Sequence, residues 1–95
     1  MADLLLETFE PLVGESFVLR AADGHIEAQL TEATALPAPA GVARTPFSLV
    51  WRGPLDPPLA QGMHAVEHHD IGTELMFIVP IGRSTGGHDY QAIFS

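Results

Sequence analysis

The chain has 95 residues, 46% of them hydrophobic, and no cysteine. That length supports one domain, 1–95, around one core, and the missing thiols exclude disulfide staples, thiol catalysis and thiolate metal sites. Twelve acids against four arginines give a net charge of −8, which argues against nucleic acid and anionic membranes as partners, because both need basic residues to meet their phosphates.

Residues 1–14 read as a helical or capping segment. Leu5, Phe9 and Leu12 recur at roughly helical spacing, Asp3 is a candidate cap, and Pro11 should stop the run. This segment is expected to lie across an open end of the sheet structure, with a further strand as the competing reading. Beyond it, eight prolines and nine glycines cut the chain into the short pieces of an all-β domain. The first predicted strand is 16–20, followed by a turn at Asp23-Gly24. The second, 25–34, alternates Ile26, Ala28 and Leu30 with Glu27, Gln29 and Thr31, the pattern of a strand with one face in water.

Residues 35–45 are proline-rich and aperiodic, and are expected to form a crossover between two sheet regions. The third strand, 47–52, aligns Phe47, Leu49 and Trp51 on one face, and Gly53-Pro54 should stop it. A second proline-rich connection, 53–62, leads to the fourth strand at 63–68. The fifth, 73–80, is nearly all apolar over Leu75-Met76-Phe77-Ile78-Val79, so both its faces should be covered at the centre of the fold. Gly82 to Gly87 reads as a flexible hairpin loop, and 90–94 as the last strand. The expected fold is therefore all-β: a small single-domain antiparallel barrel or two-sheet sandwich of about six strands, with a short N-terminal helical segment.

Chemistry-bearing residues are sparse. On a strand His64 and His68 stand ~13 Å apart, too far to share one metal ion. His69 and Asp70 with a distant His88 or His25 are the residues a metal site would need, but ordinary turn and surface roles are the stronger reading, and no metal or cofactor is expected. The acids are scattered singly, no serine has a nucleophile-elbow context, and lysine is absent, so no enzyme activity is expected. Trp51 reads as core. No run approaches the ~20 apolar residues of a membrane-spanning helix, and the Met1-Ala2-Asp3 start lacks a basic flank, so the expected location is cytoplasmic, without membrane insertion.

Several phrases together resemble one family: Pro46-Phe47-Ser48-Leu49-Val50-Trp51-Arg52-Gly53-Pro54, then Gln61-Gly62, Glu67-His68, Phe77-Ile78-Val79-Pro80-Ile81-Gly82 and Tyr90-Gln91-Ala92-Ile93-Phe94. They are similar to an uncharacterised bacterial family catalogued as a domain of unknown function, and the resemblance spans nearly the whole chain. Trp51 and His64 stand where the family would more often have Phe and Tyr. The resemblance implies genes neighbouring phage-tail-collar-like proteins, and no catalytic residues carry across. Gln61, Glu67 and His68 are the matching positions whose structural purpose is least obvious.

The leading expectation is a non-enzymatic interaction or structural module that docks to a protein partner, tail-collar-like by the family's gene neighbourhood, or self-assembles as a homo-oligomer. The setting would be a phage-tail-like or surface assembly, including an assembled extracellular particle. Arg52, Gln61, His64, Glu67, His68 and Tyr90 are the candidate contact residues. The alternative is a small-molecule or glycan binder using a barrel mouth, with Trp51, Arg52, His64 and Tyr90 as contacts.

Overall fold

The computed structural model describes residues 4–22, 24–38, 40–41, 45–84 and 86–94. A single helical turn at Leu6–Phe9 (α1) runs into a 3-10 turn at Glu10–Leu12. Six strands follow: β1 Ser16–Ala21, β2 Gly24–Ala35, β3 Phe47–Pro54, β4 Gly62–His68, β5 Gly72–Ser84 and β6 Gly87–Phe94. Every pairing is antiparallel, and the order β1-β2-β3-β6-β5-β4 closes on itself because β4 also pairs with β1. Of the two expected architectures, the fold is the barrel.

Two three-strand meanders, β1-β2-β3 and β4-β5-β6, build it. The connection after β2 is no crossover, because β2 and β3 are neighbours and the Leu36 N–H donates to the Pro46 carbonyl at 2.8 Å across the base of the loop. The crossover is instead 55–61, a strap from β3 to the non-adjacent β4.

Strand alternation sends one set of side chains inward. Phe17, Leu19, Ile26, Ala28, Leu30, Leu49, Trp51, Val66, Met76, Ile78, Tyr90 and Ala92 fill the interior, and Trp51 meets Phe17 edge-on at 5.8 Å. Each end is plugged. At one, Phe9 and Leu12 are buried, and Phe9 packs on Phe47 and Phe94 at 5.9 and 6.1 Å. Burying a side chain of this kind stabilises by about 1.5–3 kcal/mol, which gives so short a helix a reason to form. The Leu5 N–H donates to Thr8 Oγ1 at 3.3 Å at its start; the expected cap Asp3 lies outside the described residues. Pro11 sits within the 3-10 turn, where its missing N–H costs nothing. At the other end the strap inserts Leu59, which is buried.

Three sequence expectations are corrected. Strand β3 does not end at 52: it stops on Gly53-Pro54 themselves, which stay paired, Pro54 opposite Gly87, at the strand end where proline is tolerated. Most of the expected glycine loop is ladder: β5 continues to Ser84, with a bulge between Pro80 and Gly82, and β6 begins at Gly87. Nor are both faces of β5 covered. Met76 and Ile78 point inward, whereas Leu75 is 70% and Phe77 51% exposed. In the β1–β2 turn Gly24 is already paired with Ala21, and Asp23 lies outside the described residues.

Candidate functional site

An apolar run in a barrel strand must turn alternate residues outward, and β5 turns out Leu75, Phe77 and Val79. Register sets Met63 of β4 opposite Phe77, Ala65 opposite Leu75, and Gln91 of β6 opposite Val79. Ile93 lies two residues beyond Gln91. Met63 is 60% and Ile93 55% exposed. None of these seven outward positions bears a charge. At the border with β3 the polar Gln91 is taken up locally, its amide donating to Ser48 Oγ at 3.0 Å. Charge sits at other outward positions, Arg20 on β1, Glu27 on β2, Arg52 on β3, Glu67 at the far end of β4 and Asp89 on β6 opposite Arg52, interspersed with uncharged ones such as Val18, Gln29 and Val50.

The residues singled out from the sequence do not converge on one site. Tyr90 is buried, and its hydroxyl accepts the Leu59 N–H at 2.8 Å, holding the strap from inside. Arg52 Nε lies 3.5 Å from Asp89 Oδ1 on the neighbouring strand. Gln61 is exposed at the end of the strap. His64 and Glu67 do meet, through Arg20. The Arg20 guanidinium donates to both Glu67 oxygens, the Nη2 bond being 3.1 Å, while the Arg20 carbonyl faces His64 Nδ1 at 2.8 Å. The other ring nitrogen, Nε2, faces the Ala60 carbonyl of the strap at 2.7 Å. Both ring atoms thus oppose acceptors: a neutral ring donates to one of them, a doubly protonated ring to both. The hydrogen bond to Arg20 is the main cause holding the Glu67 carboxyl below its ordinary range.

His68 is buried against Phe17, ring centres 4.7 Å apart. Its Nδ1 accepts the Asp70 N–H at 3.1 Å, which leaves the proton on Nε2 to be donated to Glu15 Oε1 at 2.7 Å. Ligand atoms of His68, His69 and Asp70 do lie within 4.8 Å of one another. A metal ion, however, would have to displace one of the bonds that His68 makes, since no ring lone pair is left over. His88 is elsewhere: it pairs with Arg83, eleven residues along β5 from Gly72, the partner of His68, or roughly 36 Å at strand rise.

Two hollows accompany these groups. An open groove of ≈ 400 Å³ lies where β1 and β4 separate, lined by Ser16, Val18, Glu67 and His69 among others. A second, of ≈ 340 Å³, lies beside the strap, between Pro57, Pro58 and Leu59 and the side chains of Ala21, His25 and Ile26. Neither includes Trp51 or Tyr90, so the barrel-mouth reading lacks its two aromatic contacts.

Sequence reasoning missed Arg20 as the joint of the seam and missed the outward apolar face. The signal for the face was present, since Leu75, Phe77 and Val79 alternate with the core residues, but an apolar run does not say what covers its second side.

Among known proteins, a family described as Domain of unknown function (DUF6916) matches residues 4–94. No curated protein and no solved structure matches the chain.

Proposed function

Because the chain belongs to the DUF6916 family, a domain of unknown function, over nearly its whole length, we propose from its surface that it works as a non-enzymatic interaction module. Its contact surface is the outer face of β4, β5 and β6. The observation that carries this reading is the uncharged apolar patch of Met63, Leu75, Phe77 and Ile93, each more than half exposed, on a chain of net charge −8. Large contiguous apolar patches on small domains are more often contact sites than ornament. The dispersal of the acids supports the non-enzymatic part. The family resemblance implies genes neighbouring phage-tail-collar-like proteins, which makes a phage-tail-like or surface assembly the proposed setting, the partner being a tail-collar-like protein or another copy of the chain.

A photo-reactive residue at position 77, expressed in the native cell, tests the reading. The expected result is a discrete protein adduct from position 77 that is missing when the same residue replaces Glu27 on the charged face. Equal labelling from both positions, or none from position 77, would remove the surface from consideration.

A further inference from the structure

We infer that the occupant of this face is a second copy of the same chain, in a weak two-fold dimer built from β4, β5 and β6 of each. The inference rests on the docking-surface reading above and adds the identity of the partner.

Closure of the barrel comes first. An open sheet can recruit a partner by strand addition along an unpaired edge, but every strand here already has two neighbours, and the face of β4, β5 and β6 lies on strands paired to each other along their length, so association through this face goes by side chains. Among outward positions, the uncharged set on β4, β5 and β6 is where two copies of a −8 chain can approach without placing acids against acids. The face is also self-complementary. Apart from Gln91, whose amide donates to Ser48 Oγ, its side chains are apolar and impose no donor-to-acceptor polarity, so the same patch can meet itself under a two-fold axis, as closed dimers require.

Area then sets the strength. Taking roughly 200 Å² as the full surface of a large side chain, the four residues exposed by 60%, 70%, 51% and 55% present on the order of 450 Å². A standard interface uses about 800 Å² per partner. The four therefore supply more than half of what a stable dimer needs, with Ala65, Val79 and the rim adding the remainder. That places the contact at the weak end of specific association.

Charge gives the inference its distinguishing sign. Two copies attract through a neutral face and repel through their net charge. Raising salt from about 0.1 M to about 1 M cuts the screening length from about 10 Å to about 3 Å, which suppresses the repulsion and leaves the apolar contact in place. Self-association should therefore tighten with salt. A basic partner docking on an acidic chain would show the reverse.

Sedimentation equilibrium of the full chain decides it, over about 10 μM to 1 mM, where a contact of this size is expected to bind. The expected result is a monomer–dimer equilibrium whose dissociation constant falls several-fold between the two salt concentrations. Replacing Leu75→Gln and Phe77→Gln together, which changes no charge, should weaken the dimer at least ten-fold. Glu27→Gln should leave it unweakened, and emission from the buried Trp51 checks that each variant is folded. A wild type that stays monomeric throughout overturns the inference. So does a dimer that survives the double substitution, or one that loosens as salt rises. A monomeric wild type that still forms an adduct with another protein from position 77 would overturn the second copy alone; loss of that adduct as well would overturn the docking surface.

Discussion

Arg20 and His64 meet across the seam where the barrel closes, the His64 Nδ1 lying 2.8 Å from the Arg20 carbonyl oxygen. Among the described residues, only the pairs Val18↔Glu67 and Leu19↔Val66 join β1 to β4, whereas eight pairs join β3 to β6. Side chains therefore reinforce a junction where the backbone ladder is short. Arg20 does so twice, through its carbonyl to His64 and through its guanidinium to Glu67.

The Glu67 carboxyl is held below its ordinary range, chiefly by the Arg20 hydrogen bond, with the Arg20 and His25 charges acting in the same direction and burial opposing them. A carboxyl that gives up its proton more readily in the folded chain contributes stability that is fully present above the unfolded value, about 4.3. This contribution is lost as pH falls through the lower folded value. Wild type should therefore be more stable than Glu67→Gln at neutral pH, and the difference should close on acidification below about pH 4. Urea midpoints of both proteins along a pH series check this. A gap that stays constant down to the lowest pH would show that the bridge does not titrate with Glu67.

Tyr90→Phe isolates the other fastening of the strap. The ring would keep its place in the core, but the Leu59 N–H, whose acceptor is the Tyr90 hydroxyl at 2.8 Å, would be left buried without one. A stranded backbone donor costs about 1–3 kcal/mol, and that is the destabilisation expected from denaturant unfolding. Amide exchange should also quicken at Leu59 more than at core strand positions. Unchanged protection at Leu59 would mean that the strap is held by packing alone.

The strands were legible because alternation is a local property: Ile26, Ala28 and Leu30 declare their inward face without reference to any neighbour. Closure was not, since a barrel and a sandwich make the same demand on each strand and differ in which strands pair. The decisive contact, β1 to β4, is two residue pairs long and joins segments nearly fifty residues apart. Pairing also explains the misread connections. Proline-rich composition marked both 35–45 and 53–62 as irregular, but only the sheet order shows that the first joins neighbours and the second crosses an end. The candidate face failed for a related reason. Leu75 to Val79 is as apolar as a strand covered on both sides, and an apolar run does not say which of its two faces the rest of the fold covers.

Gly87 of β6 pairs with Pro54 at the end of β3. A Cβ built there would lie 2.3 Å from the Gly53 carbonyl oxygen and 3.0 Å from Arg52 Cγ, and a backbone atom cannot swing aside as a side chain can. Gly87→Ala should force β3 and β6 apart at their paired ends and cost about 3 kcal/mol, the upper part of the usual range for overpacking. Thermal unfolding measures the loss, and the comparison is Gly24→Ala, where nothing lies within 4 Å of the added atom. Equal, small effects at both positions would show that the β3–β6 ladder has slack at this end.

Trp51 sets two effects of one core residue against each other. Its ring is fully buried, yet the indole Nε1–H has no acceptor among the described residues, a burden of about 1–3 kcal/mol for a buried donor. Trp51→Phe would remove that burden while giving up part of the buried ring and opening a small void beside Phe17. The two changes oppose each other, so the net cost should stay within about 1.5 kcal/mol, well below the about 3–5 kcal/mol of truncating such a residue to Ala. Phenylalanine is also the residue that the family resemblance more often implies at this position. Because the chain has one tryptophan, the variant has to be followed by far-ultraviolet circular dichroism in urea instead of emission. A loss as large as that of Trp51→Ala would mean that the indole fits the barrel so closely that its unpaired donor is no burden worth removing.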